Sequence, residues 1–385
     1  MIYKRRLVFW SACMGMLLFG IGMITLGAVV PDLKEKFQLD EISSGALFSI
    51  LPLGILTGSL LFGPVCDRYG YKILLTLSCL FMFGGFEGIA YAPSQGLLKI
   101  CIFLIGFGGG AINGATNAVV ADISSTRKGA NLSLLGVFFG IGALGMPLIL
   151  GVLKNSFNFE VIVATTGLLT LATGIFYILI NFPPPKQSQG FPITRSFELI
   201  SDNVLILIAF FLFFQSSFEA IINNWTTTYL IKYLSIRESN ALFGLSSYVL
   251  GMSVMRLLIG SFFRSVPAKK ILFTSFGIIL VALICLKAGN SFGMALAGLV
   301  LLGAGLAGGF PVMLGFAGDR YSELSGTAFS FVFVIALLGN MLINYLMGII
   351  ASTFGIQHLI SVSFVELIAF VILGTIILKK IKSYK

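Results

Sequence analysis

Charge is scarce in this sequence. Asp, Glu, Lys and Arg make up only 10% of its 385 residues, against about a quarter in soluble domains. A chain so poor in charge cannot clothe a water-soluble globule. With 57% hydrophobic residues and a mean hydropathy of +1.01, it reads as a polytopic membrane protein. Histidine is limited to His358. The five cysteines (Cys13, Cys66, Cys79, Cys101 and Cys285) all fall in or at the ends of apolar segments, without metal-ligand spacing. No metal, cofactor or disulfide framework is therefore expected. The glycine runs lie inside apolar segments and lack a following Lys-Ser/Thr, which argues against a phosphate-binding loop and ATP-driven work. No sizeable soluble stretch and no cluster of catalytic groups is evident, so an enzyme is not expected; a membrane-embedded enzyme or sensor is the alternative from another class. The formal charge of +10 reflects basic residues gathered on one face of a membrane rather than a nucleic-acid partner.

What the chain does have is long apolar runs. Twelve are about long enough to cross a bilayer: 7–30, 44–66, 72–92, 97–121, 131–153, 160–181, 203–231, 239–263, 269–287, 291–317, 325–350 and 357–379. The expected fold is an all-α membrane bundle. The first run follows MIYKRR but is too long for a signal-peptide core, so it reads as a retained helix. An even number of spans places both termini on one side. Of the 25 basic residues, 17 lie on that side, 7 on the other, and Arg256 within a span. Excess Lys and Arg mark the cytoplasm, which puts both termini inside the cell (inner) membrane. Prolines and polar residues in PPPKQSQGFP break the pattern over 182–202, a cytoplasmic linker between halves 1–181 and 203–385. The halves repeat. Gly63 and Gly260, Lys72 and Lys269, Asp122 and Asp319, and Gly129 and Gly326 are each 197 residues apart, as expected of a duplicated bundle.

Within the seventh span, QSSFEAIINNWTTTY (215–229) interrupts the hydrocarbon pattern. Gln215, Glu219 and Asn223 are four apart and share a helix face, followed by Asn224 and Trp225. A carboxylate at mid-membrane costs about 2.5 kcal/mol or more, so it belongs beside water or solute. Glu219 is the expected coupling residue, as proton carrier or hydrogen-bond anchor; a buried structural hydrogen bond is the alternative. Asn113 and Asn117 stack in the fourth span, and Asn340 and Asn344 in the eleventh. Amides donate and accept, which suits hydroxyl groups, though they also join helices to one another. Gly308-Gly309-Phe310-Pro311 predicts a kink in the tenth span. Glu87 and Glu366 lie in the third and twelfth spans and read as packing contacts. Arg256 is expected to snorkel or to form an inner-gate ion pair.

Gly63-Pro64-Val65-Cys66-Asp67-Arg68-Tyr69-Gly70-Tyr71-Lys72, between the second and third spans, resembles the signature loop G-x-x-x-D-R-x-G-x-K of the major facilitator superfamily. That resemblance implies twelve transmembrane helices in two pseudo-symmetric six-helix halves and transport by alternating access. It also implies a central cavity lined by spans one, four, seven and ten, so that Asn113 and Asn117 face Gln215, Glu219 and Asn223. The loop would latch one state, giving a gating set of Asp67, Arg68, Lys72, Asp122, Arg127, Arg256 and Asp319. The second copy has Arg264 and Pro267 where the first has Asp67 and Gly70. The pattern Glu219, Asn223, Asn224, Trp225 and Tyr229 is also similar to the fucose–glucose–galactose porters, which implies proton- or sodium-coupled sugar uptake. That branch carries an acid in the first span; here Ser11 and Thr25 stand there instead. The expected function is secondary active transport of a small polar solute, a monosaccharide, by a monomer in the lipid bilayer. Efflux of drugs or metabolites is the alternative among transporters.

Overall fold

The computed structural model describes residues 3–39, 41–125, 127–153, 156–185, 201–289 and 291–382. Within them the regular structure is helical: α1 (Arg5–Phe37), α2 (Glu41–Tyr69), α3 (Tyr71–Tyr91), α4 (Gln95–Ile123), α5 (Lys128–Leu153), α6 (Phe159–Leu179), α7 (Asn203–Lys232), α8 (Glu238–Gly260), α9 (Ala268–Ala288), α10 (Phe292–Leu306), α11 (Gly309–Arg320), α12 (Ser325–Thr353) and α13 (Leu359–Lys382). They make twelve spans long and apolar enough to cross a membrane, with α10 and α11 forming the tenth. Helices are what hydrocarbon allows, because each satisfies its own backbone donors and acceptors. Of the expected linker, 186–200 lies outside the described residues. α1 continues past residue 30 to Phe37 and ends on Gln38 in the left-handed region (φ 53°). The extension carries Asp32, Lys34, Glu35 and Lys36, so it belongs to the interface rather than the bilayer core.

The chain forms two compact units. One comprises Met1–Ser125, Leu135–Ser196 and Tyr321–Ser330; the other comprises Thr126–Leu134, Phe197–Arg320 and Phe331–Lys385. Each therefore takes in a short segment from the opposite part of the sequence.

Glycine sets the packing inside each unit. In the first, a Cβ on Gly54 would lie 2.4 Å from the Phe103 carbonyl oxygen, and one on Gly106 would lie 2.3 Å from that of Leu51. α2 and α4 are thus in backbone contact, which only residues lacking a side chain permit. The second unit repeats the device between α8 and α10: a Cβ on Gly251 would lie 2.2 Å from the Val300 oxygen, and one on Gly303 would lie 2.0 Å from the Tyr248 oxygen. Gly251 and Gly303 follow Gly54 and Gly106 by the same 197 residues noted in the loops. α9 and the tenth span likewise follow α3 and α4 by that offset at both ends.

The expected kink falls at Ala307–Gly308, where α10 ends and α11 begins. Pro311 has no N–H to give the preceding turn, and the Ala307 N–H tightens onto the Ala304 oxygen. The Leu306 carbonyl is freed from its own helix, and its new partner is a side chain of α7.

Candidate functional site

That side chain is Gln215. Its Nε2 donates to the Leu306 oxygen at 2.8 Å and to Glu219 Oε1 at 2.9 Å. Asp202 starts the helix that carries both residues, accepting from the Val204 and Leu205 amides. The four-residue spacing then stacks Gln215 below Glu219 on the face toward α10. Gly309 leaves room for the glutamine, since a Cβ there would lie 2.3 Å from Gln215 Oε1. The other carboxylate oxygen, Oε2, lies 3.9 Å from Arg256 Nη2 on α8, with side chains 21% and 14% exposed. At that distance the attraction is about 4 kcal/mol for an effective dielectric near 20, enough to offset much of the cost of drawing both charges from water. Of the two readings of Arg256, snorkelling or an inner-gate ion pair, the structure has an ion pair, and its partner is Glu219. Its backbone oxygen also accepts from Ser133 on α5 at 2.8 Å. Tyr248 of α8 is buried within electrostatic reach of Glu219 and Arg256. The 197-residue counterparts of Gln215, Glu219, Tyr248 and Arg256 in the first unit are Leu18, Gly22, Leu51 and Ser59, none of them ionisable.

A row of amides lies farther along α7. Asn223 is exposed and donates to the Glu219 backbone oxygen at 2.8 Å. Asn224 Nδ2 and Trp225 Nε1 both donate to Asn344 Oδ1, at 3.1 and 3.2 Å. Asn344 in turn donates to the Asn340 backbone and side-chain oxygens. α12 thus places the two eleventh-span asparagines against the seventh span. Exposed amides are costly against lipid, so this face of the unit belongs on water.

In the first unit Asn117 is 7% exposed and donates to the backbone oxygen of Asn113 at 2.8 Å and to its Oδ1 at 3.1 Å. The hydroxyls of Ser11 and Thr25 are spent on their own helix, on the Val8 and Ile21 oxygens. Glu366 is buried and accepts from Ser217 at 2.9 Å, which makes it the packing contact expected, between α13 and α7. Glu87 presses against Gly167 of α6.

The signature loop is a helix cap. Asp67 is 1% exposed and accepts from the backbone of Gly326 at 3.3 Å, from that of Thr327 at 2.8 Å and from the Thr327 hydroxyl at 2.7 Å, all at the start of α12. A carboxylate there meets both orphan amides and the positive end of the helix dipole. Arg68 packs over the Tyr69 ring at 5.2 Å, and Lys72 is half-buried at the start of α3. Asp122 bonds Tyr71 and accepts from Ser325 at 2.8 Å. Its repeat partner Asp319 pairs with Lys128 at 3.0 Å, and Lys128 is the counterpart of Ser325. Arg264, standing where the first copy has Asp67, donates to Asn131 rather than capping a helix. A cleft of about 320 Å³ in the second unit lies here, among Arg127, Lys128, Arg264 and Asp319. It does not reach Glu219. Among the described residues no group of His, Cys, Asp and Glu is placed to hold a metal.

Sequence reasoning had missed Ser217, Thr327 and Ser325. Ser325 was within reach, since it is Lys128 displaced by the repeat offset. The others carry no spacing signal.

Twelve apolar spans, with an ion pair and a row of amides inside the second unit, are the make-up of an integral, multi-pass membrane protein. Comparison with known proteins gives the family: the model of the Major Facilitator Superfamily matches residues 12–245 and 219–383, and the chain belongs to it. It is 26% identical over 343 residues to the glucose/mannose transporter GlcP of Bacillus subtilis (strain 168), covering 86% of this chain and 84% of that protein. It is 24% identical over 364 residues to the sodium-dependent glucose transporter 1 of Xenopus laevis, covering 87% and 74%. The fold is shared with the transporter FucP (TM-score 0.79, 16% identity, 96% of this chain and 98% of that one). It is shared too with the proton:xylose symporter XylE (TM-score 0.78, 13% identity, 97% and 94%).

Proposed function

We propose that the protein imports a monosaccharide by alternating access, drawing on an ion gradient through Glu219. One observation carries this reading: a carboxylate inside a membrane span, held by Gln215 and Arg256, with a water-facing row of amides on the same helix. The carboxylate supplies a group that exchanges a proton or meets a cation. The amides supply the paired donors and acceptors that sugar hydroxyls require. The names of the relatives, a glucose/mannose transporter and a sodium-dependent glucose transporter, support the same solute class.

In this reading Asn113, Asn117, Gln215, Asn223, Asn224, Trp225, Asn340 and Asn344 line the solute path, and Glu219 couples it to a proton or sodium ion. Asp67, Arg68, Lys72, Asp122, Arg127 and Asp319 hold the gate at the face of the basic loops. Arg256 links site and gate, through its side chain to Glu219 and through its backbone to α5. The excess of basic residues on the loops beside the termini supports cytoplasmic ends in the cell membrane. The two six-helix halves work as a monomer around a linker at 182–202.

The test is uptake of labelled glucose, mannose, xylose and fucose into proteoliposomes under imposed proton or sodium gradients. The parent is expected to accumulate at least one of these sugars. Glu219→Gln is expected to abolish uphill accumulation while sparing exchange. Equal accumulation by variant and parent would remove Glu219 from coupling, and no sugar uptake by the parent would remove the sugar reading.

A further inference from the structure

Among the described residues, six buried side-chain polar atoms have no hydrogen-bond partner in the protein; the three in the second unit are Gln215 Oε1, Tyr248 Oη and Arg256 Nε. All three belong to side chains gathered about Glu219. Gln215 bonds Glu219 through its nitrogen, which turns its oxygen away. Arg256 meets Glu219 through Nη2, which leaves Nε–H directed elsewhere. Tyr248 is held by the close contact of α8 with α10 at Gly303. Gln215 is 0% and Tyr248 1% exposed, so bulk water does not serve these atoms. Burying a polar atom without a partner is unfavourable, and three on side chains about a single carboxylate ask for a guest of complementary chemistry.

The set contains one acceptor and two donors. A hydroxyl group matches it, having one hydrogen to give and two lone pairs to receive. An ether or a fluorine has no hydrogen for Gln215, and an ammonium has no lone pair for Tyr248 or Arg256. The partly exposed edges of Glu219 and Arg256 are the side from which a solute group reaches the cluster. We infer that Tyr248 is a specificity-determining residue: with Gln215 and Arg256 it reads one hydroxyl of the solute, whose hydrogen goes to Gln215 Oε1 while Tyr248 Oη–H and Arg256 Nε–H donate to its oxygen. This rests on the sugar reading above and adds a residue and a selection rule to it.

The experiment measures inhibition of labelled glucose exchange in proteoliposomes by glucose and by its 2-, 3-, 4- and 6-deoxy and fluoro analogues, for the parent and for Tyr248→Phe. In the parent, one position is expected to be intolerant of both replacements, each weakening binding about tenfold, the worth of one hydrogen bond. In Tyr248→Phe, glucose itself weakens about tenfold while the deoxy analogue at that position is unaffected. A purely structural role for Tyr248 would instead weaken all analogues alike, and that result overturns the inference while leaving sugar transport standing. Tyr248→Phe binding every analogue as the parent does overturns it too. If the variant does not fold, the parent series decides: a fluoro analogue tolerated at every position excludes an acceptor such as Gln215 Oε1. If the parent exchanges no glucose and binds no sugar of the panel, the sugar reading falls and this inference with it.

Discussion

Replacing Arg256 with Met strips Glu219 of its cation. The two side chains are mostly out of water and meet at 3.9 Å. Their attraction is about 4 kcal/mol at an effective dielectric near 20, and stranding one member of such a pair costs about 3–5 kcal/mol. Methionine keeps most of the apolar stem, so little packing is lost. Glu219→Gln keeps an oxygen for Gln215 Nε2 but strands the guanidinium. The double variant strands neither charge. Each single replacement should therefore destabilise the protein, and the double should recover about 2 kcal/mol or more relative to their sum. With an unfolding entropy of about 2.1 cal/mol/K per residue, a chain of this length shifts by about 1.2 °C per kcal/mol. Arg256→Met should melt about 4–6 °C below the parent, and the double variant should melt at least about 2.5 °C above the sum of the two single losses. Cys13, Cys79 and Cys101 are buried and free, so a fluorogenic thiol dye reports unfolding in detergent without added labels. Losses that add within about 0.5 kcal/mol would mean the pair is not coupled, and the site as drawn would be wrong.

Asp67→Ala removes the cap of α12, with its two backbone donors and one hydroxyl; a loss of about 1–2 kcal/mol is expected, seen as an earlier melt, and an unchanged melt would deny the cap. Gly303→Ala puts a Cβ 2.0 Å from the Tyr248 oxygen and should force α8 from α10 at a cost of about 1–3 kcal/mol or more, whereas Gly277→Ala on α9, with nothing within 4 Å, should be neutral or stabilising by a few tenths of a kcal/mol. Thermal unfolding of the two alanine variants side by side checks both, and equal effects would refute the backbone contact.

Much of the site was readable because its members are neighbours in sequence. Gln215, Glu219 and Asn223 share a face by helical spacing, and so do Asn113 with Asn117 and Asn340 with Asn344. Their hydrogen bonds confirm that these pairs meet: Gln215 bonds Glu219, Asn117 bonds Asn113 and Asn344 bonds Asn340. Pro311 with two glycines gave the break its place. Arg256 was harder, since its depth alone is compatible with snorkelling or an ion pair, and nothing local tells which. The Asn224–Asn344 bond spans 120 positions and the Ser217–Glu366 bond 149; no periodicity relates such residues.

The sequence by itself determined how many times the chain crosses the membrane, that it does so in two copies offset by 197 residues, and which faces carry polar groups. Hydropathy, spacing and repetition are properties of a string, so they survive without coordinates. Tertiary structure decided which polar groups satisfy one another. Helix rotation and depth control that choice. They are set here by the glycine contact between α8 and α10 and by the broken tenth span, whose freed Leu306 carbonyl draws Gln215 into place.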